Sequence, residues 1–148
     1  MNVDDKRELL RHMLATVVFR GRVAIDGAPA AFADFKASDD ARTPGEILAH
    51  MGDLLVGSES LLRGEFIEID SESLPWEDEV ARFVSSARKL DELLASDRTL
   101  AYPVEKFVQG PLGDALTHVG QIVMLRRIAG SPVQPEPYFT AKIVAGDF

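Results

Sequence analysis

The sequence predicts an all-α protein built as a four-helix bundle, and three observations carry that prediction. Four stretches of roughly 20 residues repeat their apolar side chains at helical spacing. Two of them open on distinct start signals, Thr43-Pro44-Gly45-Glu46 and Gly110-Pro111. No stretch alternates apolar and polar residues long enough to make a convincing strand. Four amphipathic helices bury their apolar stripes most simply against one another, as a bundle.

The first helix is expected from Asn2 to about Ile25. Asn2 serves as its cap, and Asp4, Asp5 and Glu8 favour its positive end. Leu9, Leu10, Met13, Val17 and Ala24 form its apolar face, and Gly21 weakens its second half. Asp26-Gly27-Ala28-Pro29 breaks it, and the following link carries Phe32 and Phe35, which fold back onto the core. The second helix spans about 43–63. Thr43 caps it, Pro44 takes the first position and Glu46 completes a capping box. Its apolar face is Ile47, Met51, Leu54, Leu55, Leu61 and Leu62, and His50 lies among these.

The segment Glu65-Phe66-Ile67-Glu68-Ile69-Asp70 is too short and too acidic for a confident strand. A third helix follows over about 75–95, with Val80, Phe83, Val84, Ala87, Leu90 and Leu94 inward. Residues 97–109 form another link, anchored by Leu100, Tyr102 and Phe107. The fourth helix runs over about 111–129, starting at Pro111 and stopping at Gly130 and Pro132. Its apolar positions are Ala115, Val119, Ile122, Val123, Leu125 and Ile128. The tail from about 131 is irregular, because Pro132, Pro135 and Pro137 exclude a helix. Link lengths alone leave several bundle topologies open: about 11 residues could stretch to roughly 36 Å, against roughly 30 Å for such a helix.

A chain of 148 residues fits one domain, 1–148, with a real hydrophobic core. The net charge of −8 argues against nucleic acid and anionic membrane surfaces, which call for basic patches. The absence of cysteine excludes disulfides, zinc–thiolate sites and a protein thiol nucleophile. No apolar run follows the charged start that could serve as a signal peptide or membrane span, so a cytoplasmic location is expected.

The chemistry concentrates in the fourth helix. Asp114 and His118 are four apart and share one side, and Gln121 continues the polar stripe. A carboxylate and an imidazole on one face could grip a metal ion with a third ligand from a neighbouring helix, and His50 is the candidate. The spacing alone is a modest signal. Each of the 3 histidines has an acid four residues before it: Glu8 and His12, Glu46 and His50, Asp114 and His118. All these acids sit near helix starts, where a carboxylate is favoured with no metal present. A lone histidine on an apolar face is more often a hydrogen-bonded core residue than a ligand, and His12 is assigned that role. Asp53 is expected as an outer partner of His50.

These motifs resemble the DinB-like (YfiT-like) superfamily of metal-binding four-helix bundles. The resemblance rests on Thr43-Pro44-Gly45-Glu46-Ile47-Leu48-Ala49-His50-Met51-Gly52-Asp53-Leu54, on Asp114-Ala115-Leu116-Thr117-His118-Val119-Gly120-Gln121, and on the tail Tyr138-Phe139-Thr140-Ala141-Lys142-Ile143. The family pattern is one histidine in helix two and two histidines four apart in helix four, the second followed by Gly-Gln. His50 and His118 match two of these places, and Asp114 stands at the third, a departure. The resemblance implies a divalent-metal site of His50, Asp114 and His118, an up-down-down-up topology and a homodimer. It also implies thiol-dependent transferase or isomerase activity with a low-molecular-weight thiol such as bacillithiol or mycothiol.

A carboxylate ligand removes one unit of the ion's charge, so bound water should be less acidified than in a three-histidine site. Two histidines and one carboxylate also match non-haem iron sites, so iron or manganese compete here with zinc and nickel. Two function classes follow. One is a metal-dependent transferase or hydrolase acting on a small molecule through a metal-bound thiol or water, with Gln121 orienting the nucleophile or substrate. The other is a non-catalytic bundle using the metal, or a plain polar cluster, for stability or subunit pairing.

Overall fold

The computed structural model describes all 148 residues, 1–148, and is helical without a strand. Helix α1 spans Val3–Ile25, opened by a reciprocal capping box between Asn2 and Asp5. Helix α2 spans Pro44–Leu62, and there the box pairs Thr43 with Glu46. The bond from the Thr43 backbone, assisted by Lys36 and Arg42, holds the exposed Glu46 carboxyl below the usual carboxylate range. Helix α3 spans Trp76–Ala95 and starts behind Pro75, with Glu77, Asp78 and Glu79 in its first turn. A single turn, α4 (Val104–Phe107), leads through a π turn at Val108–Leu112 into α5 (Gly113–Ile128). No helix is long and apolar enough to cross a membrane.

α1 packs against α3 and α5, and α2 packs against the same two helices, so the four long helices surround one core. Its centre holds Leu10, Leu14, Val17, Leu48, Met51, Leu55, Phe83, Leu90, Leu112 and Ile122, all nearly inaccessible to water. Phe32, in a short 3₁₀ turn at Ala30–Asp34, is buried edge-on against Trp76. Phe35 packs on the core beside it, so the first link does fold back.

Several faces are rotated from the sequence expectation. Leu9 is exposed, while Leu14, Val18 and Ile25 join the α1 stripe. Gly21 is no weak point: a Cβ there would lie 2.9 Å from the Phe83 ring, so its absence lets α1 and α3 approach. On α2, Leu48 and Leu55 fill the core and Leu54 is only partly buried, on the rim. Ile128 is exposed, and its neighbour Arg126 is buried instead. The Arg126 guanidinium donates to the carbonyls of Ala24 and Asp26 at the end of α1 and to Ser131, which satisfies helix-end acceptors without a carboxylate. Burial lowers its pKa below the ordinary value. Tyr102, expected as an anchor of the third link, is exposed, while Phe107 is buried.

The start of the last helix is also corrected. Pro111 lies inside the π turn rather than at the first position, and helical backbone begins at Val104. Gly110 alone leaves helical geometry there, at φ −97° and ψ −105°. A Cβ on Gly113 would lie 2.8 Å from the Val108 carbonyl oxygen, so this tight turn needs glycine. The next residue is Asp114.

Candidate metal centre

His50 comes from the middle of α2, and Asp114 and His118 come from the first turns of α5. The packing of α2 on α5 brings them together. His50 Nε2 lies 3.1 Å from Asp114 Oδ2, and His118 Nδ1 lies 3.3 Å from Asp114 Oδ1. The two imidazole rings are 4.7 Å apart, tilted by 55°. Candidate ligand atoms of all three residues fall within 4.8 Å of one another, so the group could hold a metal ion. His12, expected as a hydrogen-bonded core residue, is instead exposed on α1 and takes no part in the group.

The donor chemistry fits a divalent ion. Ligand atoms at about 2.0–2.2 Å from a small ion stand about 3.0–3.5 Å apart, and the His50–Asp114 separation is of that size. His118 Nδ1 also lies 2.8 Å from the Asp114 carbonyl oxygen, which only accepts. Nδ1 is therefore the donor of this bond, which leaves Nε2 as the ring atom that could meet a ligand. Such a backbone-held imidazole is the usual outer support of a metal-binding histidine. The side chains grade from His118, 11% exposed, through His50, 33%, to Asp114, 43%. The cluster is rooted in the bundle at His118 and opens to solvent at Asp114.

Two clefts meet at His50. One, of about 500 Å³, is lined by Leu54, Leu61, Ile67, Ile69 and Pro111 beside His50 and Asp114. The other, of about 860 Å³, lies over the start of α2 with Asp34, Arg42, Glu46, Asp70 and Glu72 around it. Segment 65–74, neither helix nor strand, borders both. It is fastened by Asp53, which accepts from the Ser71 backbone N–H at 2.9 Å, and by Arg82, which donates to Ser71 Oγ. Arg82 also pairs with Asp53 and donates to the Ala49 carbonyl.

Asp53 thus holds this segment and α3, and no hydrogen bond joins it to His50, contrary to the outer-partner role expected for it. Burial works to raise the Asp53 carboxyl, and the bonds from Ser71 and Arg82 overcome it, leaving it below the usual carboxylate range. Gln121 is exposed on α5, makes no side-chain hydrogen bond and lines neither cleft. The glutamine among the residues lining the apolar cleft is Gln109, in the π turn and exposed. Sequence reasoning passed over it because the stretch before Pro111 reads as a link with no periodic signal.

No protein-family model, curated protein or solved structure matches the chain. The functional reading therefore stands on the residues themselves.

Proposed function

We propose that the chain is a divalent-metal-dependent enzyme of the DinB-like (YfiT-like) kind, a thiol-dependent transferase or a hydrolase acting on a small molecule. Its ligands are His50, Asp114 and His118. The observation that carries this reading is the convergence of those side chains from positions as far apart as 50 and 118, with His50 and Asp114 at the wall of an open cleft. The up-down-down-up order belongs to the same reading. It is supported by Arg7 and Arg11, near the start of α1, reaching Leu94 and Asp91 near the end of α3. Arg126, near the end of α5, reaches Ala24 near the end of α1, and Gly45 shares a cleft with Leu74 and Pro75. The homodimer is a further part of it, supported by the exposed Met124 and Ile128 side chains of α5.

When bound, a divalent ion supplies Lewis acidity that makes a coordinated water or thiol a nucleophile near neutral pH. The chain's own residues do the rest. The imidazoles give neutral nitrogen donors, and Asp114 subtracts one unit of charge and presents oxygen, which widens the choice to zinc, nickel, iron or manganese. The bond from His118 to the Asp114 carbonyl fixes the imidazole tautomer. The chain has no cysteine, so a thiol nucleophile is brought in by a cofactor.

A non-catalytic bundle is the second reading, favoured by one observation. Asp114 already bonds His50 and faces His118, so the cluster is satisfied as a plain polar network. Elemental analysis of untagged protein separates the two, followed by thermal shift with low-molecular-weight thiols and turnover of monochlorobimane or chlorodinitrobenzene. The proposal expects near-stoichiometric metal, a thiol-dependent shift in melting temperature and a metal-dependent rate. Metal-free protein that fails to take up added ions would sink it. Loaded protein on which no thiol acts would remove the transferase reading and leave a hydrolase or the non-catalytic bundle.

A further inference from the structure

The cleft beside His50 and Asp114 sorts its occupants by polarity, and this inference rests on the metal-centre reading above. Consider which polar atoms in it are free to meet a ligand. Asp53 is committed to Ser71 and Arg82. Ser58 is committed to the Leu54 carbonyl through a 2.7 Å bond. Beyond His50 and Asp114 the only uncommitted side-chain polar group is the Gln109 amide, since the remaining lining side chains are apolar: Leu54, Leu61, Ile67, Ile69 and Pro111. No lysine or arginine lines this wall.

Segment 65–74 supplies part of that lining: Ile67 and Ile69 line the cleft, while Glu68 and Asp70 do not. Ile69 rests over Gly57 of α2, its Cδ1 4.0 Å from where a Cβ would stand. Ile67 stays 52% exposed although it lines a recess, as a half-built apolar wall does. Across the same segment, the second cleft is acidic and polar. The two compartments share His50 and Asp53, and little else.

We infer that the 500 Å³ cleft between segment 65–74 and the π turn is the seat for an uncharged apolar group of the substrate, an alkyl or aryl arm with one polar atom for Gln109, presented to the His50–Asp114 wall. Its size is within the range of small-molecule sites, and its lining of aliphatic side chains with few placed polar groups is of the kind such sites use. An anionic arm finds no lysine or arginine along this wall, and a cationic arm loses hydration against Leu54, Leu61 and the two isoleucines.

The test is a ladder of straight-chain alkyl hydroxamates, from acetohydroxamate to octanohydroxamate, titrated calorimetrically into zinc-loaded protein. Zinc binding is measured beforehand on its own. Each added methylene should tighten binding about two- to fourfold until the cleft is filled, as burial of a CH₂ group does. Gly57→Leu fills the cleft from its floor at a helical position without positive φ. It should flatten the ladder while zinc affinity and acetohydroxamate affinity stay within about twofold of wild type. Ile67→Asp, at a half-exposed position, should flatten it too, and the melting temperature checks that both variants fold. Equal affinities for the shortest and longest hydroxamates on zinc-loaded wild type would overturn the apolar seat and leave the metal centre standing. A ladder unchanged in Gly57→Leu would also overturn it. Failure of zinc itself to bind would remove the metal centre and this inference with it.

Discussion

Two aspartates line the same cleft and are committed to opposite degrees. Asp53 accepts from the Ser71 backbone and pairs with the Arg82 guanidinium, a fixed cation that also ties down the Ala49 carbonyl. Asp114 faces two imidazoles, neither of which carries an obligatory charge. Asp53 is buried and its side chain is 8% exposed, whereas Asp114 is 43% exposed at the mouth of the cleft. One carboxylate is saturated and serves as a strut between α2, α3 and segment 65–74. The other keeps lone pairs that imidazole N–H groups share only as long as nothing better arrives. A carboxylate's partners, more than its spacing from a histidine, decide whether it is available for chemistry.

The most damaging way to break that contrast is to remove the most buried of the three candidate ligands. His118→Ala should weaken zinc binding by more than about 100-fold, beyond what loss of an outer partner does. His12→Ala, on the exposed face of α1, should leave it within about twofold. Calorimetric titration of both variants checks this, and equal losses would mean that the ligands lie elsewhere.

Core and rim of α2 differ in the same way as the two aspartates. Leu55 is fully buried and Leu54 lines the cleft. Leu55→Ala should cost about 2–5 kcal/mol in chemical denaturation, as core truncations do. Leu54→Ala should cost less than half as much, because part of its surface already meets water. A larger loss at Leu54 would mean that the cleft is closed in solution.

Much of this was legible from the sequence, for identifiable reasons. Thr43-Pro44-Gly45-Glu46 announced α2 to within a residue, because a capping box and an N-terminal proline are local devices whose signal does not depend on the rest of the fold. The four-residue spacing put Asp114 and His118 on one side of a helix, and the family resemblance, more than the spacing, grouped His50 with them. What was missed depends on contacts between elements. Arg82 lies 29 residues from Asp53, so the strut is invisible to spacing, and Asp53 reads instead as a neighbour of His50. Arg126 looks like an ordinary cation near a helix C-terminus, and only the tertiary approach of α1 buries it. Pro111 imitates a helix start because a π turn has no composition of its own.

The strut itself can be tested by pH. Folding depresses the Asp53 carboxyl, so its contribution is complete above the unfolded value near about 4 and is lost as pH falls through the lower folded value. Asp53→Asn keeps the shape and removes the charge. It should cost about 1–3 kcal/mol near neutral pH, with Arg82 left facing an amide. That deficit should shrink as pH drops below about 4, when the wild-type carboxyl protonates as well. Urea titrations at a series of pH values read the difference directly, and a deficit independent of pH would mean that the substitution disturbs packing rather than charge. Zinc affinity should change by less than about threefold, since no bond joins Asp53 to His50.

The smallest effect separates two glutamines. Gln121 follows His118 by three residues and by spacing alone belongs to the metal-facing stripe, yet its side chain is exposed and lines neither cleft. Gln109 has no helical spacing to recommend it, and the π turn brings it to the edge of the cleft that Leu61 and Ile67 also line. Gln121→Ala should therefore leave stability within about 0.5 kcal/mol, as surface substitutions do, and zinc affinity unchanged. Gln109→Ala should leave both unchanged as well, and weaken a ligand that carries a hydrogen-bonding atom in its arm by about three- to tenfold, the size of one lost hydrogen bond. Paired titrations of an ether-containing and an all-carbon alkyl hydroxamate into the two zinc-loaded variants make the comparison. Selective loss for the ether in Gln109→Ala alone places the polar contact in the π turn. The same loss in Gln121→Ala would mean that ligands reach the metal from the exposed side of α5, and that the cleft beside Asp114 is not the approach.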